Sequence, residues 1–258
     1  MSLRRLALAA AVAAGVVAGS SGASTPPSPT FQQLLGAGIP IYCGGGTKPY
    51  VALTFDDGPT RYTPELLRVL RRNHARATFF EIGQNAAANA SLVRREAAVG
   101  VVGDHTWSQP SLPGLSVRAI DRQIRRAKDT IESESSGHVV LFRPPFGARD
   151  DAVDEAAHRL GLLVVLWNAD SGDASEASTP SSARIYHHLL DRVRPGSIVL
   201  LHEDVTVPRE IGAMRLFLPA LRRRGLKAVT VPELLRLDPP VRAELPNGSG
   251  GCNSTWHQ

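Results

Sequence analysis

Residues 50–59 have the sequence Tyr-Val-Ala-Leu-Thr-Phe-Asp-Asp-Gly-Pro. The first half is an uninterrupted apolar run, which predicts a buried strand over Tyr50–Thr54. The second half places two adjacent carboxylates, Asp56 and Asp57, before a Gly-Pro turn. Turn formation alone would explain such a pair. Adjacent carboxylates repel each other unless a cation or a hydrogen-bond donor separates them, so the pair also suits metal-assisted hydrolysis.

Six more apolar runs follow this one, and amphipathic stretches separate most of them. The seven predicted strands are Tyr50–Thr54, Ala77–Ile82, Val99–Asp104, Val139–Arg143, Leu162–Trp167, Ser197–His202 and Lys227–Val231. Alternating strand and helix signals predict parallel strands connected by helices. The even spacing favours a single-domain α/β barrel, although an open sheet has the same periodicity. No glycine-rich nucleotide loop follows the first strand, which argues against a dinucleotide-binding fold.

The two ends of the chain differ in composition from its middle. Arg4 and Arg5 precede an apolar run too short to span a bilayer, which is typical of a cleaved export signal. An uncleaved anchor is the alternative. The predicted division is a signal peptide at 1–23, a linker at 24–38, one catalytic domain at 39–237 and a C-terminal tail at 238–258. We therefore expect a monomer that is secreted or associated with the cell wall, with no transmembrane span after cleavage.

Composition and cysteine content narrow the class of protein. Hydrophobic residues make up 43% of the chain and charged residues 21%, which is typical of a soluble globular protein. The net charge is +5, but no basic patch interleaved with aromatic residues accompanies it, so we expect no nucleic-acid partner. Cys43 and Cys252 are the only cysteines. In an exported protein we expect them to form a disulfide, the alternative being two free thiols.

Ionisable residues follow the ends of five predicted strands. These residues are Asp56, Asp57, His105, Arg143, Asp170, Asp173 and His202. In barrels of alternating strands and helices, catalytic groups gather at the carboxyl ends of the strands. The sequence therefore predicts a reactive centre at this end of the barrel.

His105 and Gln109 have the i, i+4 spacing that places two side chains on one face of a helix. Histidine is a good ligand for a zinc-type ion, whereas glutamine offers only a neutral amide oxygen. A lone histidine is more often structural than metal-binding. Its position at a strand end beside Asp57 favours a divalent metal site that contains both residues.

His202 follows an apolar strand and could be a core histidine. Asp170 and Asp173 supply a counter-charge on the preceding predicted strand end. A histidine paired with a carboxylate has its protonated form favoured, which suits a general acid.

Taken together, these motifs resemble the polysaccharide deacetylase family, carbohydrate esterase family 4. The resemblance covers roughly residues 48–235. The matching segments are Thr54-Phe55-Asp56-Asp57-Gly58-Pro59, Ala77-Thr78-Phe79-Phe80-Glu81-Ile82-Gly83, His105-Thr106-Trp107-Ser108-Gln109-Pro110, Arg143-Pro144-Pro145-Phe146-Gly147, Asp170-Ser171-Gly172-Asp173 and Ile198-Val199-Leu200-Leu201-His202-Glu203.

The resemblance implies a distorted seven-stranded β/α barrel and a role for each motif residue. Asp57 and His105 would bind zinc, cobalt or another divalent ion, with Gln109 at the third ligand position. Asp56 would be the general base, oriented by Arg143, and His202 the general acid, tuned by Asp173. The implied substrate-binding residues are Pro145, Phe146, Leu200 and Asp170. The implied reaction is removal of N-acetyl groups from an acetylated glycan of the peptidoglycan or chitin type.

Two positions depart from the family pattern. Gln109 stands where the family usually has a second histidine, and this change is expected to weaken metal binding. Ala174 stands where a tryptophan often forms one wall of the sugar groove. Two other functions therefore stay open: O-deacetylation of acetylated xylan, and glycan binding by a weakly active or inactive relative.

Overall fold

The computed structural model describes residues 29–174, 180–203 and 207–240. The strands are β1 (Tyr50–Asp56), β2 (Thr78–Glu81), β3 (Val101–Asp104), β4 (Leu141–Phe142), β5 (Leu163–Val164), β6 (Ala169–Asp170), β7 (Ile198–His202) and β8 (Lys227–Val229). The helices are α1 (Phe31–Ala37), α2 (Thr63–Arg72), α3 (Gly83–Ala88), α4 (Ala90–Ala97), α5 (Val117–Ser135), α6 (Asp151–Arg159), α7 (Ser182–Arg192), α8 (Val207–Arg223) and α9 (Val231–Leu237). A short 3₁₀ turn occupies Pro145–Gly147.

The strands form one parallel sheet in the order β5-β4-β3-β2-β1-β7-β6, and β8 pairs with the beginning of β1. The two ends of this path, β5 and β6, are consecutive in the chain, so the sheet curls into an incomplete barrel. The segment before β1 lies in the remaining gap, where Ile41 bridges to Val165 and Cys43 bridges to Ser197. The predicted distorted barrel is confirmed.

β1 lies at the centre of the sheet and is buried along almost its whole length. Strands covered on both faces are uniformly apolar, which explains why residues 50–55 show no alternation of polar side chains. The helices pack their apolar faces against this sheet. In α5, for example, the buried side chains are Ile120, Ile124, Ala127 and Ile131, at helical spacing.

The register of the sheet gathers the strand ends at one rim. Asp56 at the end of β1 pairs with His202 at the end of β7 and with Phe80 on β2. On the other side, Asp104 at the end of β3 pairs with Glu81 and with Phe142. Residues that follow these positions therefore face each other across the top of the barrel.

Three details of the sequence prediction need correction. Residues 31–37, assigned to a linker, form α1 and bury Leu34, because Thr30 caps this helix with a capping box. Residues 169–170 form β6, which was not predicted as a strand. Asp238, assigned to the tail, is buried and accepts hydrogen bonds from Thr47 and Lys48.

The predicted disulfide and the predicted export signal fall partly or wholly outside the described residues. Cys43 is buried and disulfide-bonded, whereas Cys252 lies outside the described residues. Residues 1–28, which contain the predicted signal, also lie outside them. Among the helices that the structure describes, none has the length and apolar character needed to cross a bilayer.

Candidate active site

Arg143 and Asp56 form a buried ion pair inside the barrel. Arg143 lies directly after β4 and is fully buried; its guanidinium donates a 2.8 Å hydrogen bond to Oδ1 of Asp56. The same group donates to the hydroxyl of Thr54 and to the carbonyl oxygens of Val165 and Leu166. Arg143 thus fixes one oxygen of Asp56, while the other, Oδ2, lies 4.0 Å from Nε2 of His105.

Asp57 and His105 approach each other beside this pair. Oδ1 of Asp57 lies 3.3 Å from Nε2 of His105. The other ring nitrogen, Nδ1, lies 2.8 Å from the carbonyl oxygen of Arg143, so an N–H at Nδ1 donates to that oxygen and leaves a lone pair on Nε2. Burial raises the pKa of Asp57. When His105 is protonated, its hydrogen bond and charge, together with the charge of His202 and the hydrogen bond from Gln109, outweigh that effect and leave the pKa of Asp57 below its usual value. The metal-binding form of His105 is the neutral one with the lone pair on Nε2.

Gln109 reaches Asp57 through a loop and not through a helix. The predicted helical spacing is wrong, because Thr106 and Gln109 both have positive φ angles, of 69° and 55°. The Thr106 hydroxyl accepts a hydrogen bond from the Gln109 backbone N–H, and this bond stabilises the turn. The side-chain amide of Gln109 donates a 2.5 Å hydrogen bond to Oδ1 of Asp57.

His202 and Asp173 form a second pair at the same rim, in which Asp173 is buried and His202 is partly buried. Nδ1 of His202 lies 2.9 Å from Oδ1 of Asp173, and its backbone N–H donates to Oδ2 at 2.9 Å. Burial lowers the pKa of His202, but the Asp173 hydrogen bond, together with the charges of Asp173, Asp56 and Asp57, raises it to about 10. His202 therefore carries a proton at neutral pH.

Asp170 does not share in this pair. It is exposed, and its carboxylate accepts a hydrogen bond from the backbone N–H of Gly172. Of the two acidic residues predicted to supply a counter-charge to His202, the structure brings only Asp173 into contact with it.

Glu210 on α8 is a member of this network that the sequence prediction missed. It is fully buried, and Oε2 accepts a hydrogen bond from the backbone N–H of His202. Burial and the charge of Asp173 raise the pKa of Glu210 well above its usual value, so its protonated carboxyl can donate to Asp173. No local motif identifies this residue, because a glutamate in the first turn of a helix usually faces solvent.

The other predicted substrate-binding residues line the rim to different degrees. Phe146 has a φ of 61° and is 70% exposed, which is unusual for a phenylalanine. Pro145, which precedes Phe146 in the chain, is buried. Leu200, on β7, is also buried. An open groove of about 550 Å³ adjoins the rim, and its lining residues are Asp57, Thr60, Arg61, Tyr62, Ile82, Asn85 and Gln109.

Comparison with known proteins identifies the family of this chain. Residues 44–165 match the family model described as polysaccharide deacetylase. A peptidoglycan-N-acetylglucosamine deacetylase from Bacillus cereus is 35% identical over 189 residues, which are 72% of this chain and 88% of that protein. The chain belongs to the polysaccharide deacetylase family.

The names of other family members give different substrates. A chitooligosaccharide deacetylase from Sinorhizobium fredii is 36% identical over 204 residues, 73% of this chain and 93% of that protein. A bifunctional xylanase/xylan deacetylase from Cellvibrio japonicus is 34% identical over 184 residues, 71% of this chain but only 27% of that longer protein. Family membership therefore leaves the substrate open.

One solved structure of this family is described as a pseudoenzyme. This protein from Bacillus anthracis has a TM-score of 0.70 and 27% identity to the chain, covering 76% of this chain and 68% of that one. The barrel is thus compatible with loss of activity, and the side chains at the rim have to be considered individually.

Polysaccharide deacetylases are generally metal-dependent. The side chains at the rim differ in how well their atoms suit a divalent ion. The Asp57 carboxylate and the Nε2 lone pair of His105 converge, and both donor types suit zinc. The hydrogen bond from His105 Nδ1 to a carbonyl is the outer contact that metal-bound histidines usually make. Gln109 fits only if its amide is turned over, because a ligand must present oxygen and the structure presents nitrogen.

Proposed function

We propose that this chain is a secreted, metal-dependent hydrolase that removes N-acetyl groups from an N-acetylglucosamine-containing polysaccharide of the peptidoglycan or chitin type. The observation that carries the proposal is that two ion pairs, Arg143–Asp56 and Asp173–His202, lie at the same rim as Asp57 and His105. Amide hydrolysis needs a base for the attacking water and an acid for the leaving amine, and these two pairs supply one of each. Residues 39–237 form the proposed catalytic domain.

Asp56 is the proposed general base. Arg143 binds Oδ1 and fixes the orientation of the carboxylate, while Oδ2 lies 4.0 Å from Nε2 of His105. The second carboxylate of the motif, Asp57, points to His105 and Gln109 and is therefore free for metal binding. The two adjacent acids thus have separate tasks.

His202 is the proposed general acid. An amine leaves poorly as an anion, so the sugar nitrogen has to receive a proton as the carbon–nitrogen bond breaks. His202 holds that proton at neutral pH because Asp173 stabilises the imidazolium. Glu210, whose pKa is raised by burial and by the charge of Asp173, is the proposed donor to Asp173 from the α8 side.

Asp57 and His105 are the proposed ligands of the divalent ion, which is zinc in the first instance and cobalt as an alternative. When bound, such an ion polarises the acetyl carbonyl and lowers the pKa of water. Leu200 and the exposed ring of Phe146 are the proposed contacts for the acetyl group and the sugar, with Pro145 and Asp170 next to them.

The choice of N-acetyl over O-acetyl substrates is supported by the strongly favoured protonation of His202. An alkoxide leaving group needs this proton less than an amine does. The named activities of the Bacillus cereus and Sinorhizobium fredii relatives agree with an amide substrate, whereas that of the Cellvibrio japonicus relative supports O-deacetylation of xylan.

A second candidate function is glycan binding without efficient turnover. The hydrogen bond between Gln109 and Asp57 supports it, because it engages a ligand oxygen that the metal would need. The base Asp56 and the acid His202, each held by a charged partner, argue against this function, since a binding protein does not need them.

Acetate release distinguishes these functions. The purified chain is incubated with chitooligosaccharides, N-acetylated peptidoglycan fragments and acetylated xylo-oligosaccharides, each with zinc, cobalt or a chelator. Metal-dependent acetate release from the first two substrates supports the proposal, and release from xylan alone supports the esterase. Binding of a glycan with no release under any metal supports the inactive relative.

A further inference from the structure

Three glutamates from separate elements meet beneath the turn that follows β1. Glu81 ends β2, Glu96 lies on α4, and Glu203 directly follows β7. One carboxylate oxygen from each lies within 4.8 Å of the others, and all three residues are fully buried. We call this set the glutamate cluster; it contains none of the residues assigned to the reaction.

Most oxygens of the glutamate cluster lack a partner. Within the part of the chain that the structure describes, both oxygens of Glu81, both of Glu96 and Oε1 of Glu203 accept no hydrogen bond. Oε2 of Glu203 accepts one from the hydroxyl of Thr63. No lysine, arginine or histidine among the described residues forms an ion pair with any of the three.

The negative charge of three buried carboxylates has to be neutralised. An unpaired carboxylate in a protein interior is strongly destabilising, and three together add mutual repulsion. Either protons or a cation must neutralise them. Burial raises the pKa of Glu203 to about 7, and burial with mutual repulsion raises the pKa values of Glu81 and Glu96 well above their usual range. Protons are therefore the competing occupant.

Gly58, in the turn after β1, packs directly against the glutamate cluster. A Cβ atom at this position would lie 3.0 Å from Oε2 of Glu81 and 3.0 Å from Oε2 of Glu203. The φ angle of Gly58 is not positive, so its backbone conformation does not require glycine. A larger side chain at this position would collide with Glu81 and Glu203, so the glutamate cluster lies directly against the turn that carries Asp57.

We propose that Glu81, Glu96 and Glu203 bind a hard divalent cation of the calcium type, at a second site separate from Asp57 and His105. Three carboxylates offer up to six oxygens and no nitrogen or sulfur, which is the donor set that calcium prefers. Zinc prefers a set with nitrogen, as at His105. The cation would join β2, α4 and β7 beneath Gly58 and so hold the Asp57 turn in place. This inference does not depend on the proposed reaction.

Calcium binding and thermal unfolding test this site without measuring activity. The full chain is freed of metal with a chelator, and its melting temperature is then followed as calcium is added. We expect a rise of roughly 5–10 °C at a calcium concentration about a hundredfold above the dissociation constant. Equilibrium dialysis with radioactive calcium should show one ion per chain.

Variants locate the ion. Glu96→Gln has the shape of a protonated glutamate, so it should fold but lose both the calcium and the rise in melting temperature. The matched control is Glu155→Gln on α6, whose side chain is exposed and which should respond like the parent. Asp57→Asn should also keep the calcium.

Three outcomes would overturn the inference. These are no calcium bound to the parent, an unchanged calcium response in Glu96→Gln, and loss of calcium in Asp57→Asn, which would place the ion at the other site. If Glu96→Gln does not fold, the dialysis of the parent and of Asp57→Asn still decides the question.

Discussion

The side-chain amide of Gln109 donates a 2.5 Å hydrogen bond to Oδ1 of Asp57, the same oxygen that lies 3.3 Å from Nε2 of His105. A neutral amide therefore occupies the position from which a second imidazole could bind a metal. We predict that Gln109→His binds zinc at least about tenfold more tightly than the parent, because imidazole nitrogen is a better zinc ligand than an amide.

Competition with a chelator of known affinity measures this difference, and His105→Ala is the control that should lose zinc binding. Equal zinc affinity in Gln109→His and the parent would contradict the assignment of Gln109 as a weak ligand.

The Arg143–Asp56 pair should also contribute to the free energy of unfolding. Arg143→Met leaves the Asp56 carboxylate buried without its partner, and removing one member of such a pair typically costs about 3–5 kcal/mol. The double variant Arg143→Met/Asp56→Asn should recover part of this loss, because no buried charge then remains.

Urea unfolding at neutral pH measures both changes. The control is Arg215→Met, which breaks a solvent-exposed pair with Glu65 and should cost no more than about 1 kcal/mol. A cost for Arg143→Met as small as that of Arg215→Met would show that the buried pair is not what fixes Asp56.

The pH dependence of turnover should report His202. The pKa of His202 is raised to about 10, so its proton is present at neutral pH and is lost only as the pH rises through that value. Asp173→Asn removes the carboxylate that favours the protonated form. We therefore predict that the alkaline limb of kcat/KM moves towards neutral pH in Asp173→Asn.

The matched control for this change is Asp170→Asn, an exposed residue whose carboxylate bonds to Gly172, and its alkaline limb should not move. An alkaline limb at the same pH in Asp173→Asn and the parent would mean that the limb belongs to another group.

The strand prediction succeeded where burial alone determines the sequence. β1 and β7 are covered on both faces, so the uninterrupted apolar runs at Tyr50–Thr54 and Ser197–His202 locate them to within two residues. Because the strands are parallel, the polar residues that follow them had to meet at one rim, as the pairing of Asp56 with His202 shows.

The sequence could not predict features that depend on tertiary structure. The loop that brings Gln109 to Asp57 relies on positive φ angles at Thr106 and Gln109, which non-glycine residues do not signal. Glu96 and Glu210 lie on helices with charged neighbours, so their sequence indicates ordinary surface residues. Only the packing of α4 and α8 against the sheet shows that both are buried.

The predicted disulfide has a separate test. Cys43 is disulfide-bonded, and Cys252 is the only other cysteine of the chain. We predict that the denatured, unreduced protein has no reactive thiol and that reduction releases two. Peptide mapping should recover Cys43 linked to Cys252, with Cys43→Ser/Cys252→Ser as the control. Two reactive thiols before reduction would rule the bond out.

The most direct test of the proposed deacetylase function is acetate release from a chitooligosaccharide by the zinc-loaded chain, with Asp56→Asn measured beside it. We predict zinc-dependent release by the parent and a loss of about 10²–10⁴-fold in Asp56→Asn, with its zinc affinity retained because Asp57 holds the metal. Glu155→Gln, an exposed residue of α6, should stay near the parent rate. Equal rates for Asp56→Asn and the parent, or no release by the zinc-loaded parent, would contradict the proposed function.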